Sequence, residues 1–199
     1  MKYNYIAIER EYGSGGTKIA RKLANECGIP CYGREILEMV SEEQGITVDE
    51  IDRYEESVTN SFLYSLYVIG KVQKSDPDMM AKEGHIFAAE QKVIRELATQ
   101  GPAVFLGHCA SEALSRRQGV LRVFIHSDTK DKARRVIEDY RIPRDKIEST
   151  MHRFDKKRAN YYYANTTKKW DDFKNYDLIL NSGTMGIDGC VALLKSLMK

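Results

Sequence analysis

The chain has 199 residues, 42% of them hydrophobic and 30% charged, with a formal net charge of +2. That suits one α/β domain with a sizeable core, and so small a net charge argues against polynucleotide binding as the main task. No apolar run approaches the ~20 residues needed to span a bilayer, and the opening Met-Lys-Tyr-Asn-Tyr reads as the approach to a strand, not as a signal peptide.

The densest information lies in residues 5–24. A short apolar strand (5–9) runs into Gly13, Ser14, Gly15 and Gly16. Apolar residues at Ile19, Ala20, Leu23, Ala24 and Cys27 then recur at helical spacing, until Gly28 and Pro30 end the helix. Strand, glycine-rich turn and helix in that order build a phosphate cradle. Glycines let the backbone approach an anion, successive N–H groups point into one concavity, and the helix aims its positive end at the same place. The usual P-loop reads G-x-x-x-x-G-K-[ST]. Here Arg10 stands at the first glycine and Gly16 at the lysine, while Thr17 keeps the hydroxyl expected to touch Mg²⁺. Arg10 and Lys18 are the candidate replacements for the lysine. The planar fork of Arg10 suits a phosphate, whereas Lys18 reads equally well as a solvated first-turn lysine.

Further along, residues 29–33 suggest a short second strand and 34–40 the start of a helix. Thr47 and Glu50 form a capping box. Residues 60–74 carry a broad apolar helical face, 75–78 a loop, and Ile86, Phe87, Val93, Ile94 and Leu97 an amphipathic helix that is apolar except at Glu90. This region could supply a homodimer face, and a buried core explains it equally well. Residues 103–106 form a fully apolar strand of the kind found inside parallel sheets, followed by Gly107-His-Cys-Ala-Ser111. Val120–His126 is the next strand. Ser127 or Asp128 caps a helix with Ala133, Val136, Ile137 and Tyr140 on one face. A charged helix spans roughly 144–163, a last strand 176–181, and a closing helix 186–198. Alternating strands and helices predict a parallel sheet covered on both faces, with ligands at the carboxyl ends of its strands. The glycine loop, 107–111 and 181–183 are therefore expected to converge on one crevice. The four cysteines, Cys27, Cys31, Cys109 and Cys190, match no zinc spacing and are too sparse for a disulfide scaffold. Reduced thiols in a cytoplasmic protein are expected.

The run Met151-His-Arg-Phe-Asp-Lys-Lys-Arg-Ala-Asn-Tyr-Tyr-Tyr163 is the second informative stretch. On a helix, Arg153 and Lys157 are i, i+4 neighbours, and Phe154, Arg158 and Tyr161 form a second stripe. Phosphoryl transfer is catalysed mainly by positioning and cationic stabilisation, so such a cluster suits a lid over phosphates. Taken alone, the segment reads as a solvated charged helix. Its basic and aromatic interleaving also admits a nucleic-acid patch.

Four stretches resemble the cytidylate kinase-like family of P-loop proteins, within the nucleoside monophosphate kinase group. They are Glu9-Arg-Glu-Tyr-Gly-Ser-Gly-Gly16, Asn60-Ser-Phe-Leu-Tyr-Ser-Leu66, Gly101-Pro-Ala-Val-Phe-Leu-Gly107, and the tail from Arg153 through Lys169-Trp170 to Asn175-Tyr-Asp-Leu-Ile-Leu-Asn-Ser182. The resemblance implies a three-layer α/β P-loop NTPase-like fold with a five-stranded parallel sheet and a helical lid. It implies one domain over 1–199, with an acceptor-side insertion at about 45–80 and the lid at about 141–170. The implied chemistry is transfer of the ATP γ-phosphate to a nucleoside monophosphate, CMP or dCMP, with Mg²⁺. By resemblance Gly13, Ser14, Gly15, Gly16 and Thr17 surround the donor phosphates, and Arg34 lies near the acceptor phosphate. Arg153, Lys157 and Arg158 are lid cations, and Asn181 and Ser182 lie near the donor base. Two departures fall in the acceptor region. Gly33 stands where the family usually has aspartate, and Gly107-His-Cys-Ala-Ser111 replaces a G-R-C-A-D motif. His108 is a candidate acceptor contact or a structural hydrogen-bonder. A nucleotide-binding regulatory protein with weak or no turnover is the alternative reading.

Overall fold

The computed structural model describes residues 2–51 and 77–198, with the backbone alone for 77–83. The expected helix over 60–74, and with it much of the acceptor-side insertion, lies outside the described residues. The strands are β1 (Tyr5–Arg10), β2 (Cys31–Tyr32), β3 (Ala103–Leu106), β4 (Val120–His126) and β5 (Leu178–Asn181). They form one five-stranded sheet in the order β2-β3-β1-β4-β5, and every pairing is parallel.

Alternation along β1 divides the core. Tyr5 and Ala7 face one apolar cluster with Ile36, Val40, Ile94 and Phe105. Ile6 and Ile8 face the other, with Ile19, Leu23, Val191 and Leu194. The first layer holds α2 (Glu35–Gln44) and α3 (Pro77–Leu97), and the second holds α1 (Gly16–Cys27) and α7 (Ser182–Leu197). Each fully buried Ile or Leu in these layers contributes roughly 1.5–3 kcal/mol. The three-layer α/β architecture expected from the alternation is the one observed.

Local signals set several boundaries. In α1, Ile19, Ala20, Leu23 and Ala24 are buried, and Gly28 closes the helix at φ 65° with its N–H on the Ala24 and Asn25 carbonyls. The capping box forms: Glu50 N–H donates to Thr47 Oγ1 at 3.2 Å, and Thr47 N–H donates to Glu50 Oε2 at 2.7 Å. Two boundaries differ from the sequence reading. α3 begins at Pro77, inside the expected loop, because proline suits a first turn that needs no N–H donor. α7 begins at Ser182 and kinks at Gly186, whose φ of 71° and ψ of 166° interrupt the helix. Around the strand ends lie α4 (Ala110–Ala113), α5 (Thr129–Tyr140) and α6 (Ile147–Thr166).

Candidate active site

The glycine loop connects β1 to α1. Gly13 and Gly15 adopt φ of 76° and 77°, and a Cβ on Gly13 would come within 2.9 Å of the Lys132 carbonyl. Both therefore require glycine. Ser14 is fully buried; its hydroxyl donates to the Glu11 carbonyl at 2.8 Å and accepts from Gly16 N–H at 3.3 Å.

Arg135 of α5 supports this loop from beneath. It is buried and donates to the Gly13 and Ser14 carbonyls at 3.4 and 3.3 Å. It also reaches Ser127 Oγ and Ser182 Oγ, each at 3.2 Å, and the Ser182 carbonyl at 3.1 Å. Ser182 Oγ donates to the Ser14 carbonyl at 2.5 Å. The β5–α7 junction is thus packed under the loop and does not join the crevice, contrary to the expectation that all three strand-end segments converge. The apolar spacing of α5 gave no signal for Arg135, which looks like one more surface charge in a basic run.

The helix α6 lies against the upper side of the loop. Asp155 accepts the Tyr12 N–H at 2.6 Å, and Arg158 donates to the Arg10 carbonyl at 3.0 Å. Phe154 stacks on Tyr12 with centroids 4.5 Å apart, and Tyr140 stacks on Tyr12 at 5.1 Å. Lys132 bridges Glu11 at 3.0 Å and approaches Asp155 at 3.9 Å. Burial pushes the Asp155 carboxyl above its ordinary range, and burial lowers the Arg158 guanidinium.

Between α6, the residues Arg10 and Thr17 that flank the glycine loop, and the ends of β2 and β3 opens a cleft of about 370 Å³. Arg10, Arg21, Arg34, Lys157 and Arg158 line it against a single carboxylate, Glu9. Trp170 Nε1 donates to that carboxylate at 3.1 Å. Thr17, Gly33, His108, Phe154 and Tyr161 complete much of the wall. Such an excess of cations suits a polyanion. The β3 end enters the cleft through Gly107, His108 and Cys109, at φ of 79°, 54° and 50°. Two non-glycine residues in the left-handed region cost about 1–2 kcal/mol each, which the surrounding packing offsets. Behind His108, the fully buried Glu90 accepts from Tyr161 Oη at 2.5 Å, and its Oε2 lies 3.5 Å from His108 Nδ1. The polar break in the apolar face of α3 is therefore the anchor of Tyr161.

The expected site residues divide into two groups. Arg10, Thr17, Arg34, His108, Lys157 and Arg158 line the cleft. Lys18 is tied to Asp139 at 2.6 Å and borders a small hollow of about 20 Å³ beside Gly13, Gly15 and Gly16. Arg153 is exposed, with its guanidinium over the Phe154 ring at 5.2 Å. Asn181 caps α7 by accepting from Gly183 and Thr184 N–H, and Ser182 is buried under the loop. Arg21 and Glu9 were not singled out in the sequence; Arg21 sits on the polar side of α1, which suggested only solvent.

The residues present fit a nucleotide triphosphate tail. The loop offers backbone N–H groups at a helix N-terminus, and the buried Arg10 Nε has no hydrogen-bond partner. Among the described residues no group of three His, Cys, Asp or Glu could hold a metal ion. Mg²⁺ would be held by Thr17 and by phosphate and water oxygens, the hard ligands it prefers. No described helix is long and apolar enough to cross a membrane.

Comparison with known proteins agrees with this geometry. A solved structure of an uncharacterized protein from Eubacterium ventriosum superposes with a TM-score of 0.72 at 26% identity, covering 96% of each chain. Shikimate kinase from Bacteroides thetaiotaomicron superposes at 0.52 with 16% identity over 97% of each chain. The protein TT1252 from Thermus thermophilus gives 0.54 and 15%, over 98% of this chain and 96% of that one. The latter two likenesses concern the fold alone. None of the curated proteins is significantly similar to the chain. The family model for the cytidylate kinase-like family matches residues 5–184, and the chain belongs to that family.

Proposed function

We propose that this protein transfers the γ-phosphoryl group of ATP to a small phosphorylated acceptor, a nucleoside monophosphate of the CMP or dCMP kind. The observation that carries this reading is the cleft itself. Five cations and one carboxylate line it, and two of those cations, Arg10 and Arg158, also border the hollow beside the glycine loop, whose backbone N–H groups suit a phosphate chain. The loop amides hold the donor phosphates. Thr17 would hold Mg²⁺, which when bound would neutralise charge on the donor phosphates. Lys157 and Arg158 close over the reacting group from α6, which with its flanking residues at about 141–170 serves as the lid. Arg34, at the start of α2, and His108, at the end of β3, face the acceptor. An acceptor phosphate needs no strong base, because its oxygen is already a nucleophile.

The test is ADP formation from Mg-ATP with CMP, dCMP, UMP, AMP and GMP, run beside a Thr17→Ala, Arg158→Ala double variant. Acceptor-dependent ADP that disappears in the double variant supports the reading. A folded parent that binds ATP but turns over none of the five acceptors overturns it. That second outcome would favour a nucleotide-binding regulatory protein, a reading motivated by the absence of a cation at position 16 and by the pairing of Lys18 with Asp139.

A further inference from the structure

The side chain of Arg10 is held in an unusual seat. A Cβ on Gly16 would stand 2.6 Å from Arg10 Cβ and 2.9 Å from its Cγ. A Cβ on Gly107 would stand 2.4 Å from the terminal nitrogen Nη1 of Arg10. The stem of Arg10 thus crosses the position where a P-loop carries its lysine, and the guanidinium lies over the end of β3. Gly107 has a φ of 79°, a backbone that also suits glycine. Gly16 is an ordinary helical residue by its backbone, so only the lack of a side chain distinguishes it.

The guanidinium is costly where it sits. Its Nε is buried without a partner, and Arg10 forms no ion pair among the described residues. Burial first, and then the neighbouring Arg158, lower its pKa to about 10, while Glu9, Tyr140 and Cys31 act in the opposite sense. A partly buried guanidinium without a hydrogen-bonded carboxylate is stabilised when an anion completes it.

We propose that Arg10, Gly16 and Gly107 form one unit that replaces the P-loop lysine, with the Arg10 guanidinium contacting the phosphoryl group in transit. This rests on the kinase reading above and deepens it. Arg10 lines the main cleft and also the small hollow beside the glycine loop. Its head reaches from the donor loop toward the acceptor end of β3, the ground the transferred group must cross. In that transfer the bond from γ-phosphorus to the bridging oxygen breaks, and its electron pair stays on ADP. A new phosphorus–oxygen bond forms to the acceptor oxygen. The planar N–H fork is suited to the equatorial oxygens, where charge accumulates. The cation has moved from the start of the helix to the end of β1, and the lysine became glycine because both stems cannot occupy one place.

The test is a reciprocal swap. Arg10→Met, Arg10→Gly, Gly16→Lys and the double variant Arg10→Gly, Gly16→Lys, in which glycine at position 10 removes the Cβ and Cγ that a side chain on residue 16 would meet, are compared with the parent by titration calorimetry. The probes are Mg-ATP and inorganic tripolyphosphate, which carries no base. ADP formation is measured with whichever acceptor the parent accepts. Arg10→Met should lose about 100- to 1000-fold in turnover, the range for removing one preorganised transition-state donor, and should bind tripolyphosphate at least tenfold more weakly. It should melt no lower than the parent, since a partly buried charge without an ion pair has gone. Gly16→Lys should lose at least as much, because the new side chain collides with the Arg10 stem. The double variant should recover tenfold or more over either single variant. Losses that simply multiply in the double variant, or an Arg10→Met protein within threefold of the parent, would refute the unit. A parent that binds tripolyphosphate through Arg10 but transfers no phosphoryl group would sink the kinase reading and leave Arg10 as an anion clamp. Unchanged tripolyphosphate binding in Arg10→Met would sink the clamp itself.

Discussion

Arg135 gives the most direct test of how the glycine loop is held. Arg135→Met keeps an apolar stem of similar length but removes every N–H donor. The Gly13 carbonyl, received at 3.4 Å, and the Ser182 carbonyl, received at 3.1 Å, lose that donor in a buried setting. The Ser14 carbonyl keeps the Ser182 hydroxyl at 2.5 Å. Two orphaned buried acceptors cost about 1–3 kcal/mol each. Relief from burying the guanidinium offsets part of this, leaving a net loss of about 3 kcal/mol. For a domain of this size that lowers Tm by about 6–12 °C. Scanning calorimetry measures it, and titration with Mg-ATP should show weaker binding, since the loop carbonyls are then free to turn toward the phosphates. A Tm within 2 °C of the parent together with unchanged Mg-ATP affinity would show that the loop is shaped by its glycines alone.

Three other outcomes follow from the geometry, two of them at α6. Arg158→Ala should reduce turnover about 100-fold or more, whereas Arg153→Ala, which removes an exposed cation over Phe154, should change it less than threefold; equal losses would show that α6 presents a different face to the substrate. Tyr161→Phe removes the donor to the buried Glu90, so urea unfolding should reveal a loss of about 1–3 kcal/mol, and an unchanged midpoint would mean that another donor serves that carboxylate. Away from the site, Arg122 holds the Asp177 carboxyl below its ordinary 3.8 through side-chain hydrogen bonds at 2.6 and 3.0 Å. The unfolded chain therefore binds this proton more readily than the folded one. The stabilisation is fully present above pH 3.8 and is lost as pH falls through the lowered value. Both side chains are partly exposed, so it amounts to less than about 1 kcal/mol. Urea midpoints measured from pH 5 downward should fall less steeply in Asp177→Asn, and parallel curves would count against the assignment.

Much of the architecture could be read from residue spacing. β4 lies over the expected Val120–His126, and the buried face of α1 is the one its apolar period marks. The Thr47–Glu50 box forms because both partners are three residues apart on one chain segment. The glycine loop was legible for the same reason: strand, positive-φ glycines and helix start are contiguous. The basic stripe of α6 was visible as a cluster, but which cation faces inward was not. Helical spacing makes Arg153 and Lys157 neighbours, and only the docking of α6 through Asp155 and Phe154 turns Lys157 and Arg158 into the cleft and leaves Arg153 outside.

Local spacing determines which residues are apolar together, where a helix starts and stops, and that a phosphate-sized turn follows β1. Tertiary structure decides which distant residues complete that turn. Arg135 meets Ser14 across 121 positions, Asp155 meets Tyr12 across 143, and Ser182 meets Ser14 across 168. The seat of Arg10 between Gly16 and Gly107 likewise depends on β1 and β3 lying side by side in the sheet. Hydrophobic periodicity fixes a face relative to its own helix or strand. The partner across the sheet, and so the placement of every charge in the cleft, is fixed only when the layers pack.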